Sequence, residues 1–256
     1  MTRVVKIGGR AQADPRLFQL LGEAWNDSPK SLCVVHGGGD EVSAMQKALG
    51  REATFIGGRR VTSKSDLDLL RMVLSGVVNK RLVNGLVAAG VSAVGLSGED
   101  GELITAEIIH AESLGLAGRP TSVNSQLLRG LMDAGHLPVI SPVSYNGESG
   151  QGGALNVNGD DAAAAIAAAL QAEEMLLIAD VEGVRGAQGE VLPAITLESA
   201  RELIDNGTAA GGMAAKLESA YSALLAGVDR VRICDLAGLV DNRRGTFITQ
   251  SQSVGI

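Results

Sequence analysis

Leu155-Asn156-Val157-Asn158-Gly159-Asp160-Asp161 runs directly into Ala162-Ala163-Ala164-Ala165-Ile166-Ala167-Ala168-Ala169-Leu170. The alanine run favours helix and has almost nothing polar to offer water, so it reads as a helix buried on nearly all sides. Asn158 suits the N-cap, and Asp160 and Asp161 suit the positive end of the helix dipole. Capping accounts for Asn158 and one aspartate. It does not account for Asn156, or for two amides and two carboxylates at the mouth of so apolar a helix, and that crowding suggests a site.

Around this stretch the chain alternates strand-like and helix-like segments. Residues 3–7 form a β-branched run that stops at Gly8-Gly9, and residues 31–36 form a second run leading into Gly37-Gly38-Gly39. Helical periodicity covers residues 15–25 and about 40–49. Residues 54–62 read as a hairpin or loop. Thr62 or Ser63 can cap a long helix reaching about Ala89, with a bend at Gly76. Strands are expected at 92–96 and 137–142, with a helix capped by Asn124 between them. Residues 103–110 alternate only weakly, 114–122 read as loop, and 145–153 as a glycine- and serine-rich loop. Beyond the alanine helix, 175–179, 231–234 and 245–248 read as strands, and 213–226 and a segment capped by Thr196 as helices. This pattern indicates an α/β fold, a three-layer αβα sandwich around a mainly parallel central sheet. No linker divides the 256 residues into independent domains.

Composition narrows the function. Aromatic residues make up only 2%, so aliphatic side chains fill the core, and a net charge of −7 disfavours nucleic acid or an anionic membrane as partner. No apolar run approaches the ~18 residues of a membrane span. Cys33 and Cys234 lie in apolar runs and read as core residues, while two cysteines and three scattered histidines give no metal-binding spacing. His36, His110 and His136 each read as structural. The expectation is a cytoplasmic protein.

Ligands of such sheets bind beyond the carboxyl ends of the strands. Lys6-Ile7-Gly8-Gly9, Gly37-Gly38-Gly39, residues 156–160 and residues 180–184 fall there. Lys6 interrupts an apolar strand, where an unpaired charge is costly, so a functional role is favoured over a snorkelling lysine. The triple glycine could present N–H groups to an anion, although any strand–helix turn can need glycine. Lys216, near the start of a helix, reads on its own as a solvated surface lysine.

Taken in order, these motifs resemble the amino-acid kinase family. They are joined by His36 to Gly39, Arg60-Val61-Thr62, Gly76-Val77-Val78-Asn79-Lys80, Gly95-Leu96-Ser97-Gly98, Asp180 to Val184, and Gly212-Met213-Ala214-Ala215-Lys216. The resemblance spans about residues 4–235. Within the family it is strongest to the N-acetylglutamate kinase branch, whose members make an acyl phosphate from ATP in arginine biosynthesis.

The resemblance implies a substrate, N-acetyl-L-glutamate, and a role for each matching residue. Lys6 and Lys216 would neutralise the transferring phosphoryl group, with Asp160 holding both. Gly8, Gly9, Gly38 and Gly39 would offer N–H groups to the γ-phosphate and the reacting carboxylate. Arg60, Asn156 and Asn158 would grip the rest of the substrate. Asp180, Val181, Glu182, Gly183, Val184, Arg185, Thr208, Ala209 and Ala210 would line the ATP site, with Mg2+ held largely by phosphates and water. The substrate lobe would cover about residues 1–170 and the ATP lobe about 171–256. The residue types suit this chemistry: a carboxylate of pKa ~4 is already ionised at pH 7 and needs no general base, whereas two anions must be brought together by cations and N–H donors.

The sequence departs from that pattern in places. It starts almost at the first strand, and the segment after Cys234 is short. Against the family pattern, both imply a homodimer insensitive to arginine instead of an arginine-inhibited hexamer. Glu99 stands where many members carry lysine. Rival readings are a kinase acting on N-succinylglutamate, or on glutamate or aminoadipate held by a carrier protein, and a non-catalytic nucleotide-binding protein of the same fold.

Overall fold

In the computed structural model, which describes residues 1–148 and 152–250, β1 (Arg3–Ile7) is buried from end to end. A 3-10 turn at Arg10–Ala13 and α1 (Leu17–Asp27) follow, then β2 (Leu32–His36) and α2 (Gly39–Ala48). Residues 54–62 contain a hairpin, β3 (Phe55–Ile56) against β4 (Arg59–Arg60). Its turn residues Gly57 and Gly58 both have positive φ, the backbone that a tight two-residue turn requires. Ser63 caps α3 (Lys64–Leu70) through a reciprocal capping box with Asp66. The helix passes through a π-helical stretch, Arg71–Val78, into α4 (Asn79–Ala88), so Gly76 lies among widened turns.

β5 (Ala93–Gly98), β6 (Ile104–Ile108) and the short α5 (Ala111–Leu114) come next. Residues 114–122 do not form the expected loop, because β7 (Ala117–Val123) occupies most of them. Gly118 and Pro120 disguise this strand. Its register against β6 slips at Ala106–Pro120, and an irregularity of that kind tolerates a residue without an N–H. Asn124 caps α6 (Ser125–Asp133) as expected. β8 runs Leu137–Asn146, past both its prolines, and so takes the first part of the expected 145–153 loop; residues 149–151 lie outside the described residues. β9 (Ala154–Val157) is a short strand leading into α7 (Gly159–Leu170), the alanine helix. β10 (Glu174–Ile178), β11 (Ala194–Thr196), α8 (Leu197–Asp205), α9 (Gly212–Leu225), β12 (Arg230–Cys234) and β13 (Thr246–Thr249) complete the order.

Eleven of the strands form one sheet, ordered β11-β13-β12-β10-β1-β2-β8-β6-β7-β9, with β5 also on β8. The central pairings β10–β12, β1–β10, β1–β2 and β2–β8 are parallel, whereas β12–β13, β6–β7 and β8–β9 are antiparallel. Strand side chains alternate between two cores. Val4, Cys33, Val35, Met175 and Leu177 pack towards α6, α7, α8 and α9. Val5, Leu32, Val34, Leu176 and Ile178 pack towards α1 and the α3–α4 helix. Period-two alternation from strands buried on both faces produces the αβα sandwich. It also places Lys6, two residues after Val4, on the α7 side. Cys33 and Cys234 are free and buried, and desolvation pushes each thiol up to about 12.

Candidate active site

β1, β2 and β10 are parallel, so their carboxyl ends meet at one edge of the sheet. There Lys6 projects from β1 towards the N-terminus of α7, and its ammonium lies 2.7 Å from Asp160 Oδ1, a close ion pair. Lys216, in the second turn of α9, donates to Asp160 Oδ2 at 3.0 Å. Asp160 and Lys6 are 5% and 8% exposed, so the pairings form away from bulk water, where charge interactions are strong. Burial raises the cost of the Asp160 charge, but Lys6 and Lys216 together outweigh it and hold the carboxyl below its ordinary value. For Lys216, burial first and repulsion by Lys6 second lower the pKa, against the pull of Asp160. Two ammonium groups sharing one carboxylate leave an excess positive charge facing the adjoining space. Lys216 is therefore no solvated surface lysine.

Cavities flank this pair on either side. The first, about 140 Å³, is lined by Gly37, Gly38, Gly39, Arg60, Asn156, Asn158 and Gly159, with Leu70 and Leu74 as part of its apolar wall. α2 and α7 both begin at this cavity, so their positive dipole ends converge on it. Gly38, at φ +154, has no room for a Cβ, which would come within 2.7 Å of Leu74 Cδ2. Asn158 caps α7 by accepting from the Asp160 N–H at 2.8 Å, and Asn156 donates to Thr62 Oγ1 at 2.9 Å. Arg60 is 7% exposed, donates to Gly39 O and Ser43 Oγ at 2.9 and 2.8 Å, and stacks over the Phe55 ring.

The second cavity, about 330 Å³, is lined by Lys6, Gly8, Gly9, Arg10, Asp40, Asp180 and Lys216. The Gly8 N–H is engaged by Ile178 O at 3.2 Å. Lys6 lines this second cavity and lies beside two glycines that line the first: a Cβ on Gly159 would be 3.2 Å from Lys6 Cε, and one on Gly37 3.8 Å from Lys6 Nζ. The lysine pair therefore stands at the junction of the two spaces. Cationic side chains beside glycine-loop amides fit the phosphates of a nucleotide, and no cluster of three or more metal-ligating side chains occurs among the described residues.

Of the residues assigned to ATP from the sequence, Asp180 reaches the second cavity. Val181 to Arg185 continue as the loop after β10. Val184 is buried and donates to Thr246 Oγ1 at 2.8 Å, Glu182 pairs with Arg244 at 3.0 Å, and Arg185 donates to Gly189 O. Gly183 is packed against Thr246. Thr208, Ala209 and Ala210 precede α9; the Thr208 N–H is engaged by Asn206 Oδ1, Ala209 is buried, and Ala210 is exposed.

Three residues went unnoticed in the sequence. Arg10, directly after Gly8-Gly9, lines the second cavity and pairs with Asp180 at 2.8 Å. Arg59 ties the hairpin to α7 through Asp161 at 2.7 Å. Gln46 contacts Arg60, and its signal was available: it follows Val42 by four residues on the buried face of α2, an apolar position. Glu99 forms a two-pronged ion pair with Arg71, 2.6 Å from Nη2 and 3.0 Å from Nε. His36 is buried between Gly37 O and Asn79, and desolvation lowers its pKa to about 4, so the structural reading of this histidine stands.

The chain is 43% identical over 242 residues to an acetylglutamate kinase of Ruegeria pomeroyi, covering 93% of this chain and 82% of that protein. It is 40% identical over 251 residues to an acetylglutamate kinase of Chloroflexus aurantiacus, covering 97% of each. The solved structure of smu.665 from Streptococcus mutans superposes with a TM-score of 0.88 at 32% identity, covering 98% of this chain and 99% of that one. The model of the Amino acid kinase family matches residues 1–235, and the chain belongs to that family.

Proposed function

We propose that this kinase transfers the γ-phosphoryl group of ATP to the side-chain carboxylate of N-acetyl-L-glutamate, giving N-acetylglutamyl 5-phosphate, the second step of arginine biosynthesis. The observation that carries this reading is the Lys6–Asp160–Lys216 bridge at the junction of two cavities, one small and anion-seeking, the other fit for phosphates. The names of the relatives point to the same substrate.

The first cavity holds the substrate, with Arg60, Asn156 and Asn158 on its non-reacting groups and Gly38 and Gly39 beside the reacting carboxylate. That carboxylate is ionised at neutral pH, so no residue has to remove a proton. A bond forms from its oxygen to phosphorus while the bond from phosphorus to the departing ADP oxygen breaks. Lys6 and Lys216 offset the repulsion between the two anions, and Asp160 keeps both ammonium groups in place without reorganisation during the reaction. Gly9 supplies backbone N–H character on the phosphate side, and Asp180 to Arg185 with Thr208 to Ala210 bound the nucleotide. Bound Mg2+ would neutralise phosphate charge, held mainly by the phosphates and water.

The protein works in the cytoplasm, in keeping with two free, buried thiols. It acts as a homodimer, as the family resemblance implies. A coupled ADP-release assay comparing N-acetyl-L-glutamate, N-succinylglutamate and N-acetyl-aminoadipate tests the assignment. The expected outcome is the highest kcat/KM for N-acetyl-L-glutamate. Preference for another acceptor would reassign the substrate, and release with none would leave only nucleotide binding.

A further inference from the structure

We infer that Gln46, anchored by Asp66, is a positioning residue that fixes the Arg60 guanidinium while leaving its charge for a substrate carboxylate; this rests on the role given to Arg60 above. Gln46 is 2% exposed and bridges two charged groups. Its Nε2 donates to Asp66 Oδ1 at 2.8 Å, and its Oε1 accepts from Arg60 Nη1. The amide can have only this orientation, because the carboxylate on one side only accepts and the guanidinium on the other only donates.

Among the described residues the hydrogen-bond acceptors of Arg60 are neutral: the Gln46 amide oxygen, the Gly39 carbonyl and the Ser43 hydroxyl. Asp66 is the acidic group at the far end of this chain of bonds, and its charge is met by Arg51 at 2.8 Å and by Ser63. Gln46 thus stands between a buried carboxylate and a buried guanidinium. A carboxylate placed on Arg60 would be a built-in competitor for the carboxylate of the substrate. An amide oxygen orients the same N–H with roughly half the strength of an ionised acceptor and does not itself neutralise the guanidinium, on which Asp66 and Asp40 act only through space. Phe55 covers one face of the guanidinium, 4.7 Å from the ring centre, which restricts it further.

The test moves one charge. In the double variant Gln46→Glu/Asp66→Asn, net charge is conserved, volume nearly so, and the bonds from position 46 to Arg60 and to position 66 can re-form, but the carboxylate now lies against Arg60 and Arg51 loses its carboxylate partner, for which Asp66→Asn alone is the control. Gln46→Met removes the bonds and keeps the bulk. We expect KM for N-acetyl-L-glutamate to rise about tenfold or more in the double variant and by several-fold in Gln46→Met, with KM for ATP and kcat within about twofold. A purely structural tie between α2 and α3 would instead be rescued by the charge swap. Two folded variants with the wild-type substrate KM, or a double variant with KM restored, would overturn the inference. If wild type does not phosphorylate N-acetyl-L-glutamate, the proposed function falls, and the positioning role is decided separately by 15N NMR of the Arg60 side chain in the wild-type protein. The same measurement decides if a variant does not fold. The role requires rotation hindered in the wild type and freed in Gln46→Met, or in Gln46→Leu where the first variant does not fold; free rotation in the wild type, or equal hindrance in the variant, contradicts it.

Discussion

Lys216 Nζ lies 3.0 Å from Asp160 Oδ2 although 56 residues separate them in sequence. The contact joins the first turn of α7 to the second turn of α9, and it keeps charged an ammonium whose surroundings disfavour charge. Burial and Lys6 both lower the pKa of Lys216 below 10.5.

This depressed pKa separates activity from stability at high pH. Between the folded pKa of Lys216 and 10.5, the unfolded chain binds more protons than the folded one, so the Lys216 contribution to stability rises with pH. Activity should fall in the same window, because the phosphoryl-facing cation is lost. Asp160→Asn removes the group that raises this pKa, and the alkaline limb of the kcat profile should move to lower pH. Rate and melting profiles measured on the same samples check both directions.

Gly115 turns the chain into β7 at φ +62, and a Cβ there would run into the Thr62 carbonyl oxygen. Thr62 in turn accepts from Asn156 at 2.9 Å. Gly115→Ala should therefore destabilise the fold by about 1–3 kcal/mol and raise KM for the amino-acid substrate, with KM for ATP less affected. Denaturant unfolding and steady-state kinetics give the two readouts.

Thr246 fastens the loop after β10. Its hydroxyl accepts from the Val184 N–H at 2.8 Å and donates to Leu192 O at 2.6 Å. Thr246→Val leaves a buried N–H without an acceptor, a loss of about 1–3 kcal/mol. If residues 180–185 bound the nucleotide, KM for ATP rises and that for the acceptor holds. Calorimetric titration with a non-hydrolysable ATP analogue measures the effect directly.

Much of the sheet could be read from the chain because its central strands are uninterrupted apolar runs and its helices carry explicit caps at Asn124, Asn158 and Thr196. Lys6 was visible as a charge inside such a run. β7 was not, because Gly118 and Pro120 remove the residues by which a strand is recognised, and pairing on both sides with β6 and β9 supplies the stability its sequence lacks. Lys216 looked like a surface residue because its partner lies on another helix. The family motifs marked it, and the structure explains it. Arg10, Arg59 and Gln46 have meaning only through Asp180, Asp161 and Arg60, contacts set by tertiary packing.

On the proposed mechanism, phosphoryl transfer depends on the buried lysine bridge. The most direct test of this dependence is kcat for Lys6→Ala at saturating ATP, Mg2+ and N-acetyl-L-glutamate, with circular dichroism to establish the fold. The expected loss is about a hundredfold or more, with a smaller change in either KM. A folded Lys6→Ala protein with unimpaired kcat would contradict the account.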